Sequence, residues 1–417
     1  MNYWVFWNKD KLSVINDQNS WQIDAFWRLR ISTPYTLFDS QLQYWWLTNT
    51  ALWEDITANW ATITNNLNEA CVELNITGTS WSKATRQTHR YYRYQPWKSQ
   101  QILMTRVWAT PVANLRQRSW LFDDRNGIFF QSSWTTLSVV VRSYTTGSAV
   151  DDVIIQSSWN IDKLDWTGKS WITLNISKAQ IFVMDLEWLW VGTVRFWFII
   201  DWKYYRCHAS HHANILSKVY MTTANLPIRN EIENLTGDVS LNWVKMKAIC
   251  NSIQSEWWFE ETRWLTQVAS NWITTIWVTT RRPILSVRPK LTFNTLENRG
   301  LIKSIHTELT ATGNSWYFEL VYNATSLTGA SFASVSSNSL MEYDVSATAI
   351  SWWTIIASWY VLAWTWTTRW TWEHWLLSLL PMTINYNATI ADTLSLVVTS
   401  FSWTCTVSGN LEWTELY

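Results

Sequence analysis

The chain has 417 residues, enough for two or three domains and a sizeable core. Lys+Arg and Asp+Glu are each 32, a zero formal net charge that gives no global pull toward nucleic acid or an anionic membrane. Four cysteines without paired spacing exclude a disulfide framework or a zinc ribbon.

From the N-terminus, M-N-Y-W-V-F-W-N-K-D lacks a charged segment followed by an apolar core, so no signal peptide is expected. Residues 1–70, rich in Asn, Gln, Thr and Ser, read as an arm or attachment region, with a short helix expected within 48–70. The only dense basic run, Arg86 to Arg93, alternates with apolar residues and predicts a strand with one solvated face. Gln101–Val107 predicts the next strand, and Phe122 to Phe130 a hairpin with Asn126-Gly127 in its turn. Leu137–Ser143, Ile172–Ile176 and Ile181–Leu186 follow as strands. Val194–Ile200 and Lys203–His208 form a hairpin around Asp201-Trp202, and Ile228–Ile232 and Met246–Ile253 are further strands. The apolar region Ala179 to Ile200 is cut by Asp185, Glu187 and Arg195, which excludes a spanning helix and membrane insertion.

Two later hairpins are expected, Ile302–Leu309 with Tyr317–Tyr322 and Leu394–Ser400 with Cys405–Thr414. A boundary near Arg281-Arg282-Pro283 would divide residues 71–285, a central β-sandwich, from 286–417, a C-terminal β domain. No repeat of solenoid period is apparent. The fold class is therefore all-β, with antiparallel sandwiches of jelly-roll type and little helix.

The compositional outlier is 37 Trp against 10 Gly. Average usage of about 7% would give roughly 29 glycines in a chain this long. Trp repeatedly follows turn formers, as at Asn59-Trp60, Asp165-Trp166, Asp201-Trp202, Asn242-Trp243 and Asn271-Trp272, or follows Ser, as at Trp81, Trp120, Trp134, Trp171, Trp316, Trp359 and Trp403. Such contexts favour a residue without a Cβ. The run Ala363 to Trp375, with five tryptophans, is ordinary as a glycine-rich loop. These positions fit a gene in which UGA encodes glycine but has been translated as tryptophan. Trp159, Trp188 and Trp413 fit genuine tryptophans.

Three constellations could carry chemistry. The stretch K-L-D-W-T-G-K-S-W-I-T-L-N-I-S (Lys163 to Ser177) ends a phosphate-loop pattern at Gly168-Lys169-Ser170, but its required first glycine falls on Lys163. An alternating segment follows where a helix is needed, so the stretch reads as a loop feeding a strand, without a cofactor. Cys207, His208, His211 and His212 are the only dense set of metal-capable side chains. On a strand Cys207 and His208 point to opposite faces, so no metal is expected there. Asp185 with Glu187, and Glu231 with Glu233, share strand faces and could serve as acid and base on a glycoside, or lie on a wet face. No nucleophile elbow, Cys/His nucleophile pattern or H-E-x-x-H is present, and no catalytic residue is assigned.

With glycines restored, Ser158-Trp159-Asn160-Ile161-Asp162-Lys163-Leu164-Asp165-(Gly)-Thr167-Gly168-Lys169-Ser170 resembles a motif of a widespread family of phage-encoded virion proteins. Glu187-Trp188-Leu189-(Gly)-Val191-Gly192-Thr193-Val194-Arg195, His212-Ala213-Asn214, Leu226-Pro227-Ile228-Arg229 leading to Glu231-Ile232, and Ile249-Cys250 with Ser255-Glu256 continue the resemblance. The segments Leu394 to Val397 and Glu412-Trp413 extend it to the C-terminus. Lys169 departs from the proline expected in that motif. The resemblance spans residues 85–417 and implies a non-enzymatic structural component of a tailed-phage particle: a tail, fibre or head appendage. It would be assembled in the host cytoplasm, would form homo-oligomers and would contact other virion proteins. Two further readings are a receptor- or carbohydrate-binding module that engages a host cell-surface glycan, and an enzyme that degrades polysaccharide.

Overall fold

A computed structural model describes residues 33–42, 52–257, 265–271, 276–312, 315–351, 354–361, 368–373, 382–401 and 404–416. Residues 1–32, Trp272, Trp403 and most of the Ala363–Trp375 run lie outside the described residues. The chain forms two compact units, residues 1–88 with 92–260, and 89–91 with 261–417. Both are all-β and every strand pairing is antiparallel; among the described residues the only helical turns are two of three residues each. No helix among them is long and apolar enough to cross a membrane.

The first unit is a sandwich of an eight-stranded and a seven-stranded sheet. The larger sheet runs Lys203–Ser210, Val194–Ile200, Gln180–Leu186, Gln100–Val107, Lys245–Ser255, Cys71–Asn75 and Thr62–Asn66, with Tyr35–Gln41 also paired to Lys245–Ser255. The smaller runs Val150–Ile155, Thr136–Ser143, Gly127–Ser133, Leu115–Phe122, Ile228–Asn234, Lys83–Thr88 and Trp53–Ala58. Alternating residues of both sheets meet between them. Phe130 packs edge-on against Phe182, Phe196 and Phe198, with ring centroids 5.1–5.4 Å apart. These fully buried rings supply much of the apolar area that drives the two layers together.

The second unit repeats the architecture with a five-stranded and a six-stranded sheet. Its core gathers Leu285, Val287, Leu309, Phe318, Leu320, Leu394, Leu396 and Leu411. Gly409 has no room for a side chain: a Cβ there would come within 2.6 Å of Leu396 on the facing sheet and 2.8 Å of Leu309 on its own.

The hairpin around Asp201-Trp202 forms as expected, Ile200 opposite Lys203, with positive φ at both turn residues (49° and 60°). In the hairpin beginning at Phe122 the turn is Asp123–Asn126, and Gly127 already belongs to the next strand, opposite Phe122. Gly127 is required for space: a Cβ would lie 2.1 Å from that of Phe122.

Several expectations need correction. Residues 48–70 hold no described helix; Trp53–Ala58 and Thr62–Asn66 are strands of the two sheets, so this segment belongs to the sandwich rather than to an arm. The proposed boundary at Arg281–Pro283 falls on the strand Arg282–Pro289, whose two prolines sit near its ends, where a missing N–H is tolerated. Residues 261–285 accordingly group with the second unit. The strand from Lys83 ends at Thr88, and Arg86, instead of facing solvent, is buried with its Nη1 donating to both Asp55 carboxylate oxygens at 2.8 Å. Ile172–Ile176 makes only an isolated bridge between Asp165 and Thr173. Leu301–Thr312 and Trp316–Tyr322 lie in different sheets, as do Leu394–Ser400 and Cys405–Leu416, so neither pair is a hairpin.

Candidate functional site

The strand Ile228–Asn234 lies in the middle of the seven-stranded sheet, and its alternation divides two environments. Asn230 faces the core between the sheets, where its Oδ1 accepts from Arg106 Nε at 2.7 Å and Ser119 Oγ at 3.1 Å. Arg229, Glu231 and Glu233 line the opposite face, and all three are buried. Register sets their neighbours, because Arg118 lies directly opposite Glu231 and Arg116 directly opposite Glu233.

Glu231 is the centre of an ionic network. Lys83 Nζ lies 3.0 Å from its carboxylate, and Arg118 and Arg229 each lie 3.4 Å away. Arg116 pairs with Glu233. Arg118 Nε donates to Gln131 Oε1 at 2.7 Å, and Arg142 donates through Nε and Nη2 to both oxygens of Asp151 at 2.7 and 2.9 Å. Arg229 reaches Asp124 at 2.7 Å. Beneath the guanidinium groups, Phe122 and Phe129 pack with centroids 4.5 Å apart. Arg118 and Arg142 stand over Phe129 at 5.5 and 5.3 Å, and Arg229 stands over Phe122 at 5.4 Å.

The electrostatics follow from this geometry. Burial opposes ionisation of Glu231, but Arg229, Lys83 and Arg118 outweigh it and hold the carboxyl far below the ordinary range. Burial likewise disfavours the Asp151 anion, and the Arg142 hydrogen bonds reverse that, leaving its pKa lowered. Burial brings Arg118 down to about 10, with Glu231 acting in the other direction. A glycosidase pair needs one carboxyl held protonated. Glu231 is held ionised instead, so it cannot be a proton donor near neutral pH.

The second carboxylate pair lies on the other sheet of this unit. Asp185 lies across from Arg195 on the neighbouring strand and accepts from its Nη2, both side chains buried. Glu187, fully buried just past the strand end, adds to the burial that raises the Tyr94 phenol.

Cys207, His208, His211 and His212 do not converge, and no group of three or more His, Cys, Asp or Glu side chains placed to hold a metal ion occurs among the described residues. Cys207 is buried, its Sγ donating to the Phe196 carbonyl at 3.3 Å, and burial pushes its thiol well up. His208 Nδ1 accepts from the Asn160 N–H at 3.3 Å, and burial lowers its pKa to about 4, so it is neutral. His212 donates through Nδ1 to the Gly192 carbonyl at 2.6 Å and stacks on Tyr220 at 3.8 Å. His211 is exposed beside Thr193.

The Gly168-Lys169-Ser170 stretch is a loop tied to Asp162, whose carboxylate accepts from the Leu164 and Ser170 N–H groups at 3.0 and 2.8 Å. Those N–H groups are occupied within the loop, which leaves them unavailable to a phosphate. Sequence reasoning identified Glu231 and Glu233 but missed Lys83, Arg116, Arg118, Arg142 and Asp151. The available signal was the R-x-R alternation at Arg116 and Arg118.

The fold and this site define an all-β protein of two antiparallel sandwiches. Neither a protein-family model nor a curated protein matches the chain. Among solved structures, it is similar to a protein of unknown function from Shewanella oneidensis MR-1, at 8% identity and a TM-score of 0.35 over 63% of this chain and 100% of that one. It is also similar to a GlcNAcα1-4Gal-releasing endo-β-galactosidase from Clostridium perfringens, at 8% identity and a TM-score of 0.36 over 59% and 68% of the two chains. A legume lectin-like domain from Entamoeba histolytica matches at 7% identity and a TM-score of 0.28 over 48% and 89%.

Proposed function

We propose that the chain is a non-enzymatic structural protein of a tailed-phage particle, a component of tail, fibre or head appendage that works by self-assembly. The motif resemblance in residues 85–417 supports the virion reading, and the ion-locked Glu231 speaks against acid–base work at this charged face. One observation carries the assembly mechanism. The strand Val150–Ile155 ends its sheet, pairing among the described residues with Thr136–Ser143 alone. It exposes Val150, Val153 and Ile155, at 52%, 45% and 41%. An edge strand with exposed aliphatic side chains and no second partner among the described residues is a template for another strand.

Light scattering after size exclusion tests this: the expected result is a closed homo-oligomer that Val153→Lys dissociates without changing the far-ultraviolet dichroism. A monomer at every concentration sinks self-assembly, and absence of the chain from purified particles sinks the virion assignment. Specific, saturable binding on a glycan array would instead favour the receptor-binding reading.

A further inference from the structure

Among the described residues, ten tryptophans have a positive φ. Trp120, at φ 150°, is fully buried. The other nine form one class. Trp60, Trp81, Trp97, Trp134 and Trp166, with Trp171, Trp190, Trp202 and Trp243, have φ between 57° and 73°, and all are 44–88% exposed. This is the left-handed region, where a bulky L-residue is a steric outlier.

At several of these positions the backbone is engaged while the ring is exposed. The N–H of Trp81 donates to the Asn234 carbonyl, that of Trp134 to Leu115 and that of Trp243 to Ile76, each at 2.9 Å. Trp166 N–H donates to the Ile172 carbonyl at 3.0 Å. Trp202 takes the second central place of a two-residue hairpin turn in which both residues have positive φ, the place where glycine is strongly preferred. Glycine meets every backbone requirement of these positions, and all nine side chains remain exposed, the least so Trp190, whose ring stacks on Trp188 at 4.3 Å.

Three other tryptophans behave in the opposite way. Trp159, Trp188 and Trp413 are buried and have no left-handed φ. Trp159 Nε1 donates to the Ile154 carbonyl at 3.3 Å, Trp413 Nε1 donates to Glu415 Oε1 at 2.7 Å, and Trp188 packs edge-on against Tyr94 at 5.8 Å. Here the side chain fills space, and at Trp159 and Trp413 the indole N–H also finds an acceptor.

We infer that the nine exposed, left-handed tryptophans are glycines in the protein as its source makes it, encoded by UGA, and that Trp159, Trp188 and Trp413 are true tryptophans encoded by UGG. The inference goes beyond the assembly reading and stands or falls separately from it. It also removes an apparent ligand platform. Trp166 and Trp171 stand 6.2 Å apart, perpendicular and exposed, in the manner of a sugar-stacking pair, and with glycines there the loop offers no aromatic surface.

The test is peptide mapping by mass spectrometry of the protein isolated from its native source, read beside the codons of its gene. Glycine masses over UGA codons at the nine positions, with tryptophan over UGG at Trp159, Trp188 and Trp413, are expected. A tryptophan mass at any of the nine overturns the inference, and a glycine mass at any of the three overturns the geometric criterion behind it. A monomeric protein in the light-scattering experiment would leave both results unaffected.

Discussion

Substituting Trp202 by glycine tests the backbone argument in the tryptophan-containing chain itself. Holding an L-residue in the left-handed region costs roughly 1–2 kcal/mol. Glycine relieves that cost and gives back about 0.5–1 kcal/mol through its freer unfolded chain. At 88% exposure the Trp202 ring has little burial to lose. The net gain is therefore on the order of 0.5–1 kcal/mol, or ~1–4 °C in the melting temperature of a unit this size. Urea denaturation and thermal melting of Trp202→Gly and Trp202→Ala beside the parent measure it. Alanine keeps the Cβ and the strain, so only glycine should stabilise. All nine positions belong to the first unit, and together they represent about 5–9 kcal/mol, comparable with the total stability of roughly 5–15 kcal/mol typical of a domain. Equal stability of the glycine and alanine variants, or a loss on Trp202→Gly, would refute the reasoning.

Four further outcomes follow from the packing and charges. Trp188→Gly, at a buried ring, should destabilise by about 3–5 kcal/mol in the same denaturation assay. Glu231→Gln removes the anion shared by Lys83, Arg118 and Arg229 and should cost about 3 kcal/mol at neutral pH. Its folded pKa is lowered, so its stabilisation is present above the unfolded value near 4.5 and is lost as pH falls toward the folded one; the variant should lack that acid-side slope. Burial holds His208 at about 4 against an ordinary 6.5, so the unfolded chain takes up the proton first. Stability should fall by about 3 kcal/mol between pH 6.5 and 4, and His208→Asn should flatten that limb in pH-dependent melts. Gly127→Ala, which drives a Cβ into that of Phe122, should cost about 1–3 kcal/mol by chemical denaturation.

The parts of the fold that could be read from sequence are those decided locally. The Val194–His208 hairpin has a two-residue turn whose chemistry sets the pairing from Ile200–Lys203 back to Trp197–Arg206; beyond it a bulge at Cys207 shifts the register, which the turn does not encode. The pairings that misled are decided across the chain. Leu301–Thr312 is followed closely by Trp316–Tyr322, yet its partners are Thr368–Glu373 and Cys405–Leu416, the latter about a hundred residues on. Alternation identifies a strand without identifying its sheet. The charged face shows the same limit: Glu231 and Glu233 were legible as a pair on one strand face, while Arg116 and Arg118, alternating in the same way, were not linked to them. Arg118 meets Glu231 across 113 positions, and no local pattern encodes that register.

That register explains what a buried ionic face contributes when it has no proton to offer. Taking Glu231, Arg118 and Arg229 out of water is costly, and hydrophobic residues of similar volume often serve stability as well or better. The charges, however, penalise misalignment far more than aliphatic side chains would. Sliding Ile228–Asn234 by one residue along Leu115–Phe122 would set Glu231 against Gln117 or Ser119 and turn the charged row toward Asn230's side, among Met246 and the aromatic core. Several buried charges would lose their partners at once, at several kcal/mol each. Uniform aliphatic faces would tolerate such a slip more easily, because any Val can replace any other. The network thus pins the central strands in one alignment, so that the edge strand Val150–Ile155, tied to the network through Asp151, is held in a fixed position. A defined edge is what repeated self-association requires, since a closed assembly depends on every copy presenting the same strand at the same angle.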